Sequence, residues 1–319
     1  MTKIALIGEF HDDGKEILKR NNINYIEIFD YTLDNLKKEL ADCDGIGIRT
    51  AKLPKEVLTH CAKLKIVARH GVGYDSVDIE FLNEKRIPLA ITGSSNAVSV
   101  AEHVITMFLA LSRRIIDCHN LVKNGEYLQK TMIQKTVEIF NKKVLIIGYG
   151  RIGKEVAKRL SMFNCEILIH DPYLKNMNEA KTPFKFVDLK TGLKNANFIT
   201  IHIPLSSDTK NFISQKEFSI MNNDVILVNT SRGGIVNQEN LKLALDKGKI
   251  LGAGLDVYTK EPPDKDDPIL SAKNIIFTPH NAALTVECRA RMSIETIENI
   301  LNYLQNKTNI NNIVNKKIL

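Results

Sequence analysis

The sequence contains no apolar run approaching the roughly 18 residues that a membrane-spanning helix requires, so no membrane partner is expected. It also lacks a C-x-x-C pair. Its five cysteines (Cys43, Cys61, Cys118, Cys165, Cys288) are odd in number and scattered. That excludes a disulfide framework and a zinc site, and makes reduced thiols in a cytoplasmic protein the expectation. There is no basic block with interleaved aromatics. The 44 basic and 37 acidic residues are interspersed for a net charge of +7, which gives no nucleic-acid footprint and suits an anionic substrate and plain solubility equally. The opening segment Met1–Gly8 ends too soon for a signal peptide and reads as a first strand. Repeats of solenoid length are missing, and the only local bias is toward asparagine.

What is present is alternation. At 319 residues, with 44% hydrophobic and 25% charged residues, the chain can build two cores. Strand patterns at Lys3–Ile7, Ile23–Phe29, Gly45–Ile48, Leu64–Ala68 and Ile87–Ile91 alternate with helical ones at Asp12–Asn21, Thr32–Leu40, Pro54–His60 and Ile79–Lys85. The loop Gly93-Ser94-Ser95-Asn96 breaks this series, and one long helix is expected from about Ser99 to Val122. A second series begins at Lys143, with strands expected to end at His170, His202, Asn229, Asp256 and Phe277; a long amphipathic helix follows from about Thr285 to Leu304. The polar tail 305–319 carries the apolar pair Ile313-Val314. Strands alternating with helices imply parallel sheets with right-handed crossovers. The expected fold class is therefore α/β with two domains, each an open parallel sheet.

The second series opens with Lys143-Val-Leu-Ile-Ile-Gly148-Tyr-Gly150-Arg151-Ile152-Gly153, a strand running through G-x-G-x-x-G into a helical pattern. Gly148 allows the tight turn, Gly150 lets a pyrophosphate approach the backbone, and Gly153 lets helix and strand pack closely. The phosphates then meet N–H groups at a helix N-terminus, with Arg151 and Ile152 beside them. A second strand, Glu166–His170, leads into Asp171, close to the spacing expected for the acid that binds the adenosine ribose. The pattern reads as a nicotinamide dinucleotide site. The first series begins alike, Lys3-Ile-Ala-Leu-Ile-Gly8, but continues Glu9-Phe10-His11 and has no such fingerprint.

Hydride transfer to or from an alcohol needs a proton shuttle and a cation that polarises the substrate oxygen. Arg232, between Ser231 and Gly233 after the strand Val225–Val228, is an arginine at a strand end that packing explains poorly. His280 follows the final strand, and Glu261 sits beyond the preceding one, followed by two prolines. A histidine titrates near neutral pH and works best beside a carboxylate that fixes its tautomer. His202 also closes a strand, but no carboxylate follows it at a fixed distance, so it is read as structural.

Four motifs in register, Gly148–Gly153, Asn229-Thr-Ser-Arg-Gly-Gly-Ile-Val236, Gly254-Leu-Asp-Val-Tyr258 with Glu261-Pro262, and Thr278-Pro-His280, resemble the D-isomer-specific 2-hydroxyacid dehydrogenase family. Gly71-Val-Gly-Tyr-Asp75 and Ser99-Val-Ala-Glu102 extend the resemblance over nearly the whole chain. It implies a Rossmann domain for NAD at 98–285, inserted into a flavodoxin-like substrate domain at 1–97 plus 286–319, with the active site in the cleft between them. Arg232 would hold the substrate carboxylate and polarise its C2 oxygen, His280 would be the acid/base, and Glu261 its partner. Backbone N–H groups of Gly71, Val72 and Gly73 would bind the carboxylate. Ile203, Pro204, Thr230, Ser231 and Ala282 would line the cofactor, and Asp256 would contact the nicotinamide carboxamide. With cofactor and substrate bound, the cleft would close and exclude water.

The resemblance is strongest to the phosphoglycerate dehydrogenase and hydroxypyruvate reductase branch, although His70 stands where many relatives have a small residue. It implies a homodimer. The chain's end at Leu319 is read as leaving out the regulatory domain of the longer phosphoglycerate enzymes, and with it serine feedback. Arg49, at the end of the third strand, is read as a spare cation suited to a distal anion on the substrate, as in 3-phosphoglycerate. Hydroxypyruvate, glyoxylate or D-lactate-type substrates are the alternatives, with a formate- or phosphite-oxidising relative or an NAD-sensing corepressor more remote. Asp171 should disfavour the 2′-phosphate of NADP, with Lys175 downstream as a softening charge.

Overall fold

The computed structural model describes residues 2–133, 135–174 and 182–319, and Lys175 falls outside them. The chain forms two compact units, one built from 1–96 and 283–319, the other from 97–282. Each is an open parallel sheet covered on both faces.

The first unit has strands β1 (Lys3–Ile7), β2 (Asn24–Ile28), β3 (Gly45–Ile48), β4 (Ile66–Arg69) and β5 (Leu89–Ile91), in the order β2-β1-β3-β4-β5. That is the flavodoxin-like order. β1 shows why its strand is apolar throughout. Ile4 and Leu6 join the cluster under the helix Val286–Leu304, whereas Ala5 and Ile7 join the cluster on the opposite face. A strand buried on both faces has no polar alternate positions. The tail reads differently from a free end. Ile313 pairs antiparallel with Ala90, Val314 N–H donates to Leu89 O at 2.8 Å, and Asn315 Oδ1 accepts from Leu89 N–H at 2.8 Å. These bonds cover the exposed edge of β5.

The second unit has β6 (Lys143–Ile147), β7 (Glu166–His170), β8 (Lys185–Phe186), β9 (Phe198–Ile201), β10 (Ile226–Asn229), β11 (Gly252–Leu255) and β12 (Ile275–Phe277). Their order, β12-β11-β10-β9-β6-β7-β8, is the Rossmann 3-2-1-4-5-6 arrangement with one further strand. Leu145 and Ile147 face one core, Val144 and Ile146 the other.

Three expectations change. The single helix from Ser99 to Val122 is two helices, Ala97–Ser112 and Ile115–Lys123, broken where Arg114 takes a left-handed φ of 53° and its guanidinium bonds Asn274. Periodicity alone carries no signal for that break. β9 and β11 stop at Ile201 and Leu255, so His202 and Asp256 begin loops. The two-residue strand β8 was not expected, being too short to show a pattern.

Candidate active site

The site residues of the second unit sit on loops leaving the C-terminal ends of β6, β7, β10, β11 and β12, where open α/β sheets bind ligands. After β6 the chain turns at Gly148 (φ +92°) into the helix Arg151–Ser161, with Gly150 at the N-cap. A Cβ on Gly153 would lie 2.2 Å from Gly148 O, whereas one on Gly150 would meet nothing within 4 Å. The first glycine contact closes the turn; the open one leaves room for a ligand against the helix N-terminus. Asp171, just past β7, is fixed at this turn. Its Oδ2 accepts from Tyr149 N–H at 2.8 Å and its Oδ1 from Tyr173 N–H at 2.9 Å.

After β10, the buried Asn229 folds the next three residues around itself. Its Oδ1 accepts from Ser231 N–H (3.0 Å) and Oγ–H (2.7 Å), and its Nδ2 donates to Arg232 O at 2.9 Å. Such Asx geometry is a turn built by a side chain. It sets Arg232, whose Nη1 donates to Ser231 O at 2.7 Å.

After β11 and β12 the chain brings together residues 19 apart in sequence. Glu261 Oε2 and His280 Nδ1 lie 2.7 Å apart, and Glu261 Oε1 accepts from Tyr258 N–H at 3.0 Å. His280 Nδ1 is thereby the donor, and Nε2 has no hydrogen bond among the described residues. Burial pushes the Glu261 carboxyl up, but the His280 and Tyr258 bonds and the charges of His280 and Arg232 outweigh it, leaving it below its ordinary 4.5. Arg232 therefore belongs to the same electrostatic group. Both side chains of the pair reach solvent, at 49% and 37% exposure.

A dinucleotide fits this edge. Besides the open Gly150 turn, the buried Thr230 Oγ1 and Asn281 Oδ1 lack hydrogen-bond partners, although buried polar atoms are nearly always satisfied. They are free to bond a polar ligand there.

Comparison with known proteins agrees with this geometry. Residues 105–282 match the model of the D-isomer specific 2-hydroxyacid dehydrogenase NAD binding domain. The chain is 34% identical to the D-3-phosphoglycerate dehydrogenase of Methanocaldococcus jannaschii, over all of this chain and 61% of that protein, and so spans about three-fifths of that relative's length. It is 36% identical to the hydroxypyruvate reductase of Thermotoga maritima, over 85% of this chain and 88% of that one. An NAD-dependent formate dehydrogenase from Staphylococcus aureus, solved with NAD, superposes with a TM-score of 0.84 at 28% identity, covering 98% of this chain and 99% of its own. The chain belongs to the D-isomer specific 2-hydroxyacid dehydrogenase family. Its second unit is the family's NAD-binding domain.

In this family member, Asp256 has a job that sequence reading missed. The residue is fully buried, and its oxygens accept from Thr278 Oγ–H (2.6 Å), Asn281 N–H (2.9 Å) and Ala282 N–H (3.1 Å). The carboxylate that the resemblance places at the nicotinamide carboxamide also carries the loop that bears His280. His103, on the helix Ala97–Ser112, adds a bond from Nε2 to Thr278 Oγ1 at 3.0 Å, and the Tyr258 hydroxyl donates to Thr278 O at 2.9 Å. Asn229, Tyr258 and Asp256 lie inside the motifs that the sequence displayed, but their partners are other loops, which no spacing reveals. His202 is no rival to His280. Burial pushes its pKa down to about 3, and Nε2 bonds Thr200 Oγ1 at 2.9 Å.

In the first unit, the N–H of Gly71 already donates to Arg69 O at 2.9 Å, so it is not the free carboxylate donor expected of it. Those of Val72 and Gly73 make no hydrogen bond among the described residues. His70 is a core residue, edge-on to Phe10 at 5.0 Å and 3.2 Å from Ser293 Oγ, and burial with the charges of Arg69 and Arg49 lowers its pKa to about 3. Arg49 is not spare. Its Nη1 lies 3.6 Å from Glu9 Oε2.

Because the folded Glu261 carboxyl titrates below 4.5, its pairing stabilises the protein above that pH and is lost as pH falls through the depressed value. Glu261→Gln should therefore lower stability near neutral pH, with the gap from the parent closing in acid. Urea denaturation from about pH 7 to about pH 3 reads this; a gap independent of pH would remove the charge from the account.

Proposed function

We propose that this chain is an NAD-dependent oxidoreductase that transfers hydride between nicotinamide and C2 of a D-2-hydroxy acid or the matching 2-keto acid. The observation that carries the reading is the 2.7 Å His280–Glu261 pair with the charge of Arg232 acting on it. Bound NAD supplies the hydride acceptor, and NADH the donor. In the reducing direction, protonated His280 gives its Nε2 proton to the C2 oxygen. Glu261 accepts from Nδ1–H, which fixes the tautomer and supports the charged ring before transfer. Arg232 holds the substrate carboxylate and offsets the negative charge growing on the oxygen. Gly148, Gly150, Arg151, Ile152 and Gly153 would take the pyrophosphate, Asp171 the adenosine ribose, and Ile203, Pro204, Thr230, Ser231 and Ala282 the remainder of the cofactor.

In the first unit, the N–H groups of Val72 and Gly73 serve the substrate carboxylate, and Arg49 a distal anion. That the curated relatives include a D-3-phosphoglycerate dehydrogenase supports this substrate class, whereas the hydroxypyruvate reductase favours an uncharged tail. The protein works as a homodimer. The helix Ile115–Lys123 buries none of its residues, and Ile115, Ile116, Val122, Tyr127, Leu128 and Phe140 are 48–88% exposed, an apolar surface of the kind that a second copy covers. Five free thiols suit a reducing, cytoplasmic setting; burial raises three of them, Cys43 to about 11, Cys61 to about 12, and Cys165 above its ordinary value. No helix among the described residues is long and apolar enough to cross a membrane.

His280→Ala should lower kcat by about 10²–10⁴ with little change in NADH affinity, and wild-type turnover would end the assignment. Asp171 should make kcat/KM with NADH exceed that with NADPH, because a 2′-phosphate would meet a carboxylate; the reverse order refutes it. Arg49→Ala should cost about 10- to 100-fold in kcat/KM on 3-phosphohydroxypyruvate and much less on hydroxypyruvate. An equal loss on both would show that Arg49 serves the fold or the shared carboxylate.

A further inference from the structure

β1 and β3 run side by side in parallel register, Ile7 opposite Ile48, so the residues following them emerge together. Gly8 leaves space for the stem of Arg49; a Cβ at position 8 would lie 3.2 Å from Arg49 Cβ. The next residue, Glu9, turns its carboxylate between two guanidinium groups. Oε2 is 3.6 Å from Arg49 Nη1, and Oε1 is 2.8 Å from Arg289 Nη2, in the first turn of the helix Val286–Leu304. Among the described residues, neither arginine has another ion-pair partner.

The three side chains differ in freedom. Arg49 and Arg289 are 22% and 31% exposed, whereas Glu9 is 62% exposed and leaves the strand behind a glycine. The anion has the most access to solvent, and so has room to leave the cluster while the cations stay. A guanidinium fork recognises a carboxylate or phosphate by the same bidentate geometry, whether that anion is tethered to the chain or arrives on a substrate. Two anions cannot share the forks without repelling each other.

We propose that Glu9 is a tethered stand-in for the distal anion of the substrate. It bridges Arg49 and Arg289 and must swing into solvent when a 2-keto acid with an anionic tail takes both forks. Glu9 thus sets how strongly tailed substrates are preferred over tail-less ones, and Arg289 is the second cation of the subsite. The inference rests on the reading that Arg49 serves a distal anion.

The test is the ratio of kcat/KM for 3-phosphohydroxypyruvate to that for hydroxypyruvate, measured in the full chain at low salt. Glu9→Gln should raise the ratio about fivefold or more, the effect of removing a like charge about 4 Å away in water. Added salt should shrink the gain, because it screens exposed charges. Arg289→Ala should lower the ratio, as Arg49→Ala does. A ratio that stays level or falls in Glu9→Gln, with Glu9→Ala behaving the same way, overturns the proposal, because Glu9 would then be organising the arginines and not competing for them. If Arg49→Ala itself leaves the ratio unchanged, the distal-anion reading fails first. If Arg49→Ala lowers it and Glu9→Gln does nothing, that reading stands and the stand-in alone is refuted.

Discussion

The His280 loop of the second unit depends on one buried carboxylate. Asp256 has no exposed surface, and three groups of segment 278–282 donate to it. Burying a carboxylate costs several kcal/mol unless donors replace water, so the loop and the acid hold each other. Removing the acid would strand two backbone N–H groups and a hydroxyl inside the fold, at about 1–3 kcal/mol each. His280 takes a left-handed φ of 52° in that loop, a conformation that a non-glycine residue keeps only when its neighbours insist on it. Asp256 and the bonds of Thr278 to His103 and Tyr258 are what insist.

Two carboxylates therefore divide the work. Asp256 is sealed and structural, Glu261 is half-exposed and faces His280. The difference is a few residues of position along the one loop that follows β11, not chemistry. Asn229 does for the Arg232 loop what Asp256 does for the His280 loop, with a neutral amide in place of a charge. In each case a side chain at or just beyond a strand end converts a short loop into a fixed support, which is how an open α/β sheet turns mobile connections into a site.

The first unit uses the same sheet edge differently. Its strand ends collect arginines, Arg49 and Arg69, with Arg289 from the C-terminal helix. Glu9 answers the charges of Arg49 and Arg289, and those of Arg69 and Arg49 help to keep the buried His70 neutral. His70 itself packs against Phe10 and Ser293.

The amino-acid sequence determined the strand–helix alternation, the glycine turn and the three reactive residue types, because these rest on local rules: apolar runs for strands buried on two faces, glycine where backbones touch, and charged residues at strand ends that packing does not explain. Arg232, Glu261 and His280 stood out as candidates for that reason. What the tertiary structure alone decided is which polar groups are already taken. Asp256 turned inward to a loop 22 to 26 residues away, the Gly71 N–H closed on Arg69, and Arg49 met Glu9 from a strand 40 residues earlier. Hydrogen bonds and ion pairs saturate, so a residue's availability depends on every neighbour that folding brings near it, and no spacing along the chain records that.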